Sequence, residues 1–290
     1  MTHELIVDSF AGGGGASTGI PPRLRVLSLG AGVQSTTLAL MAAHGEIEAP
    51  DCAIFADTGS EPNSVYRHLD WLEGQLPFPV HRVSVGNLGE QIRAAMAGDG
   101  TRMDARPPFF TGGGGQLRRQ CTGDFKIAPI HKKVRELLGL QPRQRGPKEP
   151  IVEQWIGISL DEVFRMKPSR VRWIRHRWPL IERRMTRSDC LRWSELRQLP
   201  KPPKSACTFC PYRSAAEWRA MRDNDPPAFS DACEVDRIIR PGMPGPNRPR
   251  GEAWFVHRSL TPLDEVDFST AEDRGQGNLF LNECEGMCGV

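Results

Sequence analysis

The chain has 290 residues, 38 Lys and Arg against 35 Asp and Glu, a formal net charge of +3 and eight cysteines. That length accommodates one large α/β domain with an appended module, and a core ample enough to need no disulfide staple. So small a charge excludes a nucleic-acid role argued from overall charge alone. No apolar run approaches the ~18 residues of a membrane span, and the start lacks the basic and apolar regions of a signal peptide. A cytoplasmic protein without membrane contact is expected, its cysteines serving as metal ligands or catalytic thiols.

Residues 1–22 stand apart. The stretch from Ile6 to Gly19 resembles the first motif of DNA cytosine methyltransferases, a strand followed by the glycine loop for S-adenosylmethionine. Pro21-Pro22 stops it before any helix. A truncated, mobile extension without methyltransferase activity is expected.

From Arg23 strands and helices alternate. The apolar run Leu24 to Leu29 reads as a buried parallel strand, the turn Gly30-Ala31-Gly32-Val33-Gln34 follows, and Ser35 to Ala43 reads as a helix. Such a turn leaves unpaired N–H groups at a helix start and no side chains in the way, so it can cradle an oxyanion; Ser28, Ser35 and Thr36 add hydroxyls. It is neither a Walker A loop nor a dinucleotide fingerprint. A second strand, Ala53 to Ala56, ends at Asp57-Thr58-Gly59; a helix covers Asn63 to Leu72, a strand Val80 to Val85 and a helix Leu88 to Met96. This alternation predicts an α/β fold: a doubly wound, mostly parallel sheet with helices on both faces and ligands at the strand ends.

Residues 98–120 are a polar loop with four consecutive glycines, long enough to be a lid. An amphipathic helix follows around Ile130 to Leu138, then a strand from Ile151 to Ile158. Past Met185 short helices, prolines and cysteines predict a small C-terminal helical module. The expected division is 1–22, 23–184 and 185–290.

Cys207-Thr208-Phe209-Cys210-Pro211 puts two thiols where they can face one metal, as in iron–sulfur and zinc sites. Cys121 and Cys190 are the candidates to complete a 4Fe-4S cluster or a structural zinc site. Cys52 and Cys233 lie on apolar patterns and read as core residues.

Together the glycine turn, Asp57-Thr58-Gly59, the segment Cys121 to Pro129 and the later Cys-x-x-Cys resemble the PP-loop, or adenine nucleotide alpha hydrolase-like, superfamily. Within it they are most similar to the phosphoadenosine phosphosulfate (PAPS) and adenosine phosphosulfate reductases. The resemblance implies that Ser28, Gly30, Gly32, Gln34, Ser35 and Thr36 hold nucleotide phosphate or sulfate, and that Asp57, Thr58 and Gly59 lie beside the nucleoside. Gly157, Glu162 and Arg165 match a Gly-x-x-x-x-Glu-x-x-Arg arrangement, so Arg119, Lys126 and Arg165 would neutralise the anion. It also implies a thiol reductant such as thioredoxin as partner.

Three departures qualify the match. Cys121 stands alone where cluster-bearing reductases have tandem cysteines. Gln34 replaces the loop aspartate of the ATP-cleaving branch; an amide can hydrogen-bond an oxyanion but brings no charge to Mg²⁺, the optional companion of the nucleotide. The family's Glu-Cys-Gly-x-His tail is matched only by a terminus carrying Cys284 and Cys288, which would act as nucleophile and resolving thiol.

Three functions follow: a sulfonucleotide reductase-like enzyme, an ATP-consuming enzyme that thiolates nucleic acid, or a nucleotide-binding protein without catalysis. The second draws on the basic and aromatic residues between Arg165 and Arg187, a composition that suits RNA or single-stranded DNA.

Overall fold

The computed structural model describes residues 21–98, 103, 106–242, 252–269 and 273. The methyltransferase-like stretch and the tail cysteines Cys284 and Cys288 lie outside the described residues.

The fold is α/β, built on five parallel strands: β1 (Leu24–Leu29), β2 (Cys52–Asp57), β3 (Val80–Ser84), β5 (Val152–Ile156) and β6 (Ile174–Arg177), in the order β3-β2-β1-β5-β6. The chain thus winds outward from β1 in one direction, returns, and winds outward in the other. The reversal leaves a crevice at the carboxyl ends of β1 and β5, where ligands of such sheets bind.

Strand residues alternate between two cores. Leu27, Leu29, Ala53, Phe55 and Trp155 face α1 (Val33–Ala43), α2 (Asn63–Glu73) and α6 (Arg187–Leu196); Val26, Ile54, Val152 and Ile174 face α4 (Ala128–Leu137). Helix α1 is buried along nearly its whole length, from Val33 to Ala42, because the sheet covers one side and α6 another. A third apolar cluster gathers α3 (Leu88–Ala97), α7 (Ala215–Asn224) and α8 (Pro226–Ile239) around Phe109, Phe125, Phe209 and Trp218. It also takes Trp254 from the short antiparallel pair of β4 (Phe110–Thr111) and β7 (Trp254–Phe255). The prolines that break the chain past Met185 therefore separate α6, which completes the sheet's core, from α7 and α8, which join α3 in the third cluster.

Helix starts follow the local sequence. Thr186 and Asp189 form a capping box on α6, and Ser214 and Glu217 form one on α7. Asp225 followed by Pro226 ends α7 and caps α8.

Three details differ from the sequence reading. Helix α1 begins at Val33, two residues early, because Gly32 is its N-cap. The chain is helical from Cys121 onward, passing through a π-helical turn, Gly123–Ile127, into α4, with Pro129 placed just past that turn. Inside the basic stretch lies β6, whose Arg175 and Arg177 both pair with the buried Glu153 of β5, so these two cations bind the sheet together. Among the described residues no helix is long and apolar enough to cross a membrane.

Candidate functional site

The turn after β1 is held by its own hydroxyl. Ser35 Oγ accepts the Gly30 N–H at 3.1 Å and donates to the Gly32 carbonyl at 3.3 Å, while Ala31 takes a left-handed φ of 55°. That conformation is uncommon for a residue with a Cβ and is retained where surrounding packing enforces it. No side chain caps the first turn of α1. Gly157 just past β5 closes the other wall: a Cβ there would lie 2.9 Å from the Ser35 nitrogen. Across the crevice Gln154 Nε2 donates to Ser28 Oγ at 2.7 Å.

A cleft of about 1600 Å³ opens at this edge of the sheet. Among its described lining residues are eight Lys and Arg against three Asp and Glu, a local excess of positive charge larger than that of the whole chain. Five lining residues carry a buried polar atom without a hydrogen-bond partner: Gln154 Oε1, Arg165 Nε, Arg119 Nη1, Thr122 Oγ1 and Trp178 Nε1. Buried polar groups are nearly always paired, so these five atoms are donors and acceptors left open to a ligand or to water in the cleft.

Of the residues singled out in the sequence, Ser28, Gly30, Gly32, Gln34, Ser35, Thr58, Arg119, Lys126 and Arg165 line this cleft, with Cys121, Cys207 and Cys210. Thr36, Asp57 and Gly59 do not. Thr36 is fully buried with Oγ1 3.1 Å from His68 Nε2, inside the core. Asp57 accepts the Gly59 N–H and the Tyr66 hydroxyl, each at 2.8 Å, and so closes the turn after β2. Gly59 serves that turn with φ 66° and packs where a Cβ would stand 3.0 Å from Asn87.

Two further corrections concern the predicted ligands. Gln34 offers no free amide: Nε2 donates to Glu162 Oε2 at 3.2 Å and to Ser159 Oγ at 3.4 Å, and Oε1 accepts from Arg187 at 2.9 Å. Cys190 does not join the other cysteines. It is fully buried between α6 and α1, where burial pushes its thiol up to about 12 although the Thr37 hydroxyl bonds it. The four-cysteine centre is therefore not assembled, and among the described residues no three of His, Cys, Asp and Glu stand close enough to hold a metal ion. Helix α6 must cover α1, and the register that does so buries Cys190 away from the cleft.

The Cys-x-x-Cys segment is docked on the turn after β2, with Thr58 Oγ1 3.2 Å from Cys207 Sγ and the Thr208 N–H on the Ser60 carbonyl at 2.9 Å. Burial, then the Glu61 carboxylate, raise the Cys207 pKa against the opposing pull of Lys126. Lys126 Nζ lies 3.2 Å from Glu61 Oε1; burial disfavours its charge, but Glu61 and the neighbouring thiols outweigh that and raise its pKa. Lys126 thus stands beside two thiols, ion-paired with Glu61. Cys52 is buried, as its apolar setting predicts, and burial pushes it up to about 11; Cys233 is half-buried and also raised to about 11.

Sequence reasoning missed Ser205, which packs over the cradle: a Cβ on Gly32 would meet its Cβ at 3.4 Å, and one on Gly30 its Oγ at 3.9 Å. The glycines are thus needed for close approach of the later chain as well as for the turn. The basic stretch divides: Lys167, Arg170, His176 and Trp178 line the cleft, whereas Arg175 and Arg177 serve Glu153.

No family model and no curated protein matches the chain. Among solved structures it is similar to the PAPS reductase of Candida auris in its phosphate complex, at 13% identity and a TM-score of 0.42, over 68% of this chain and 80% of that one. It is also similar to the U34-tRNA thiolase NcsA of Methanococcus maripaludis with its 4Fe-4S cluster, at 12% identity and a TM-score of 0.37, over 82% and 78%.

Proposed function

We propose that the chain is a PP-loop enzyme that binds an adenine nucleotide in the crevice between β1 and β5 and carries out thiol-linked sulfur chemistry on it. The observation that carries the reading is the coincidence, in one cation-rich cleft, of the uncapped start of α1, partnerless donors on Arg119 and Arg165, and the thiols Cys121, Cys207 and Cys210. An uncapped helix start and guanidinium groups suit a phosphate or sulfate. The partnerless Gln154 Oε1 offers an acceptor for an amino or hydroxyl group of a nucleoside.

In the reaction a thiolate attacks the sulfur of the sulfonucleotide. An S–S bond forms as the S–O bond to phosphate breaks, and the nucleotide phosphate leaves with the bonding pair. A second thiol then displaces sulfite, leaving a disulfide for an external dithiol to reduce. Lys126 and Arg165 stabilise the leaving phosphate; Cys284 is the proposed attacking thiol and Cys288 its resolving partner. Among the described residues Cys121, Cys207 and Cys210 are the thiols that face the cleft, and the reading rests on no iron–sulfur step.

The test is to incubate the protein with PAPS, adenosine phosphosulfate or ATP and a dithiol. Sulfite release that is lost in Cys284→Ser supports the reductase reading. Pyrophosphate from ATP without sulfite, stimulated by RNA, points to nucleic-acid thiolation instead. That alternative is favoured by the cleft's size, about 1600 Å³ against the roughly 300–1000 Å³ of a small-molecule site, and by Lys167, Arg170 and Trp178 on its wall. Absence of both products overturns the enzymatic reading.

A further inference from the structure

We propose that Arg187 is an anion-binding residue of this cleft and that Gln34 is the residue that positions it. This rests on the nucleotide-site reading above and names the group that meets the ligand's phosphate or sulfate beside α1.

The backbone of Arg187 is fixed from three directions. It is the first residue of α6, the Thr186–Asp189 capping box holds that helix start, and its own N–H donates to Asp161 Oδ1 at 2.9 Å. Its side chain reaches back across 153 positions of sequence to donate from Nη1 to Gln34 Oε1 at 2.9 Å. The orientation of that amide is decided by its other end, since Nε2 faces the acceptor Glu162 Oε2 and only Oε1 can face a guanidinium. Gln34 is 9% exposed, so water does not compete for it.

Electrostatics make the arrangement a binding device rather than a brace. Glu162 is already met by Arg165 Nη1 at 2.6 Å. Arg187 forms no ion pair among the described residues and has a neutral amide as its side-chain partner; the residue lines the cleft, and the nearby Asp161 carboxylate is taken up by its backbone N–H. Gln34 belongs to the uncapped first turn of α1, which places the arginine's charge beside the positive end of that helix dipole. A brace would be better served by a carboxylate at position 34, which would neutralise the arginine. An amide holds it and leaves the charge for a ligand. A second observation points to a ligand at the same end of the sheet: Gln154, 6% exposed, lines the cleft with Oε1 partnerless and Nε2 on Ser28.

The experiment titrates the full chain with PAPS and ATP, then displaces the bound nucleotide with inorganic pyrophosphate and, separately, with adenosine. In Arg187→Ala, pyrophosphate competes about tenfold or more weakly, as expected for loss of a charge-assisted hydrogen bond, while adenosine competes as in the wild type. Arg187→Lys recovers part of the loss. Gln34→Leu weakens pyrophosphate in the wild-type background and has no further effect in Arg187→Ala, the non-additivity expected of a residue acting through another. Should Arg187→Ala not fold, Arg187→Gln carries the same comparison. Pyrophosphate competition unchanged in these variants, an equal loss for adenosine, or an undiminished Gln34→Leu effect without Arg187 overturns the proposal. A wild type that binds neither PAPS nor ATP overturns the nucleotide-site reading itself.

Discussion

Gly157 shows how one missing side chain shapes the crevice. It follows β5 at the point where the strand meets the start of α1, and the space a methyl group would take is already filled by the Ser35 and Gln34 backbone. Gly157→Ala should therefore push β5 and α1 apart at the site. An overpacking cost of about 1–3 kcal/mol is expected in urea unfolding, together with weaker nucleotide binding. A glycine after a strand was visible in the sequence, but any turn residue could have explained it. The need for Gly157 comes from a helix more than 100 residues away in the chain, to which local pattern is blind. The same holds for Gln34, Thr36 and Cys190: their residue types suggested ligands, and their partners Arg187, His68 and Thr37 assigned other work to two of the three side chains and passed the third's role to its neighbour.

At the scale of elements, α1 and α2 are locked by a buried polar contact, the Thr36 hydroxyl on the His68 imidazole. Burial holds the His68 pKa below its ordinary 6.5. The folded protein therefore keeps this ring neutral where the unfolded chain protonates it. The stability it contributes is complete above about pH 6.5 and is lost progressively as the pH falls below that value. His81, His131, His176 and His257, also lowered chiefly by burial, act with the same sign. The melting temperature should fall between about pH 7.5 and about pH 5.5, and His68→Gln should show a smaller fall. An identical slope in the variant would remove His68 from the account. Strands β1 and β2 and the helix between them were legible because apolar runs and helical spacing report burial directly. Strand β6 was not: Ile174-Arg175-His176-Arg177 offers one apolar residue in four, and the strand is held by Glu153, an acid whose burial the sequence does not announce.

Over the whole molecule, the later part of the chain is a structural part of the site. Helix α6 covers α1 with Cys190 and Trp193, and Ser205 packs on the cradle glycines. A chain ended at residue 184 should expose the buried face of α1 and lose cooperative unfolding, followed by near-ultraviolet circular dichroism; a fragment that unfolds as sharply as the full chain would show that α6 is dispensable.

By itself the sequence determined the parallel α/β order and the glycine turn after β1, because side-chain pattern and turn sterics act over a few residues and leave their mark in consecutive positions. Only the tertiary structure decided which polar groups share the cleft. That outcome depends on how α6 and the Ser205 segment pack back onto β1 and β5, and contacts between segments so far apart in the chain are set by the fit of whole surfaces rather than by any local run of residues.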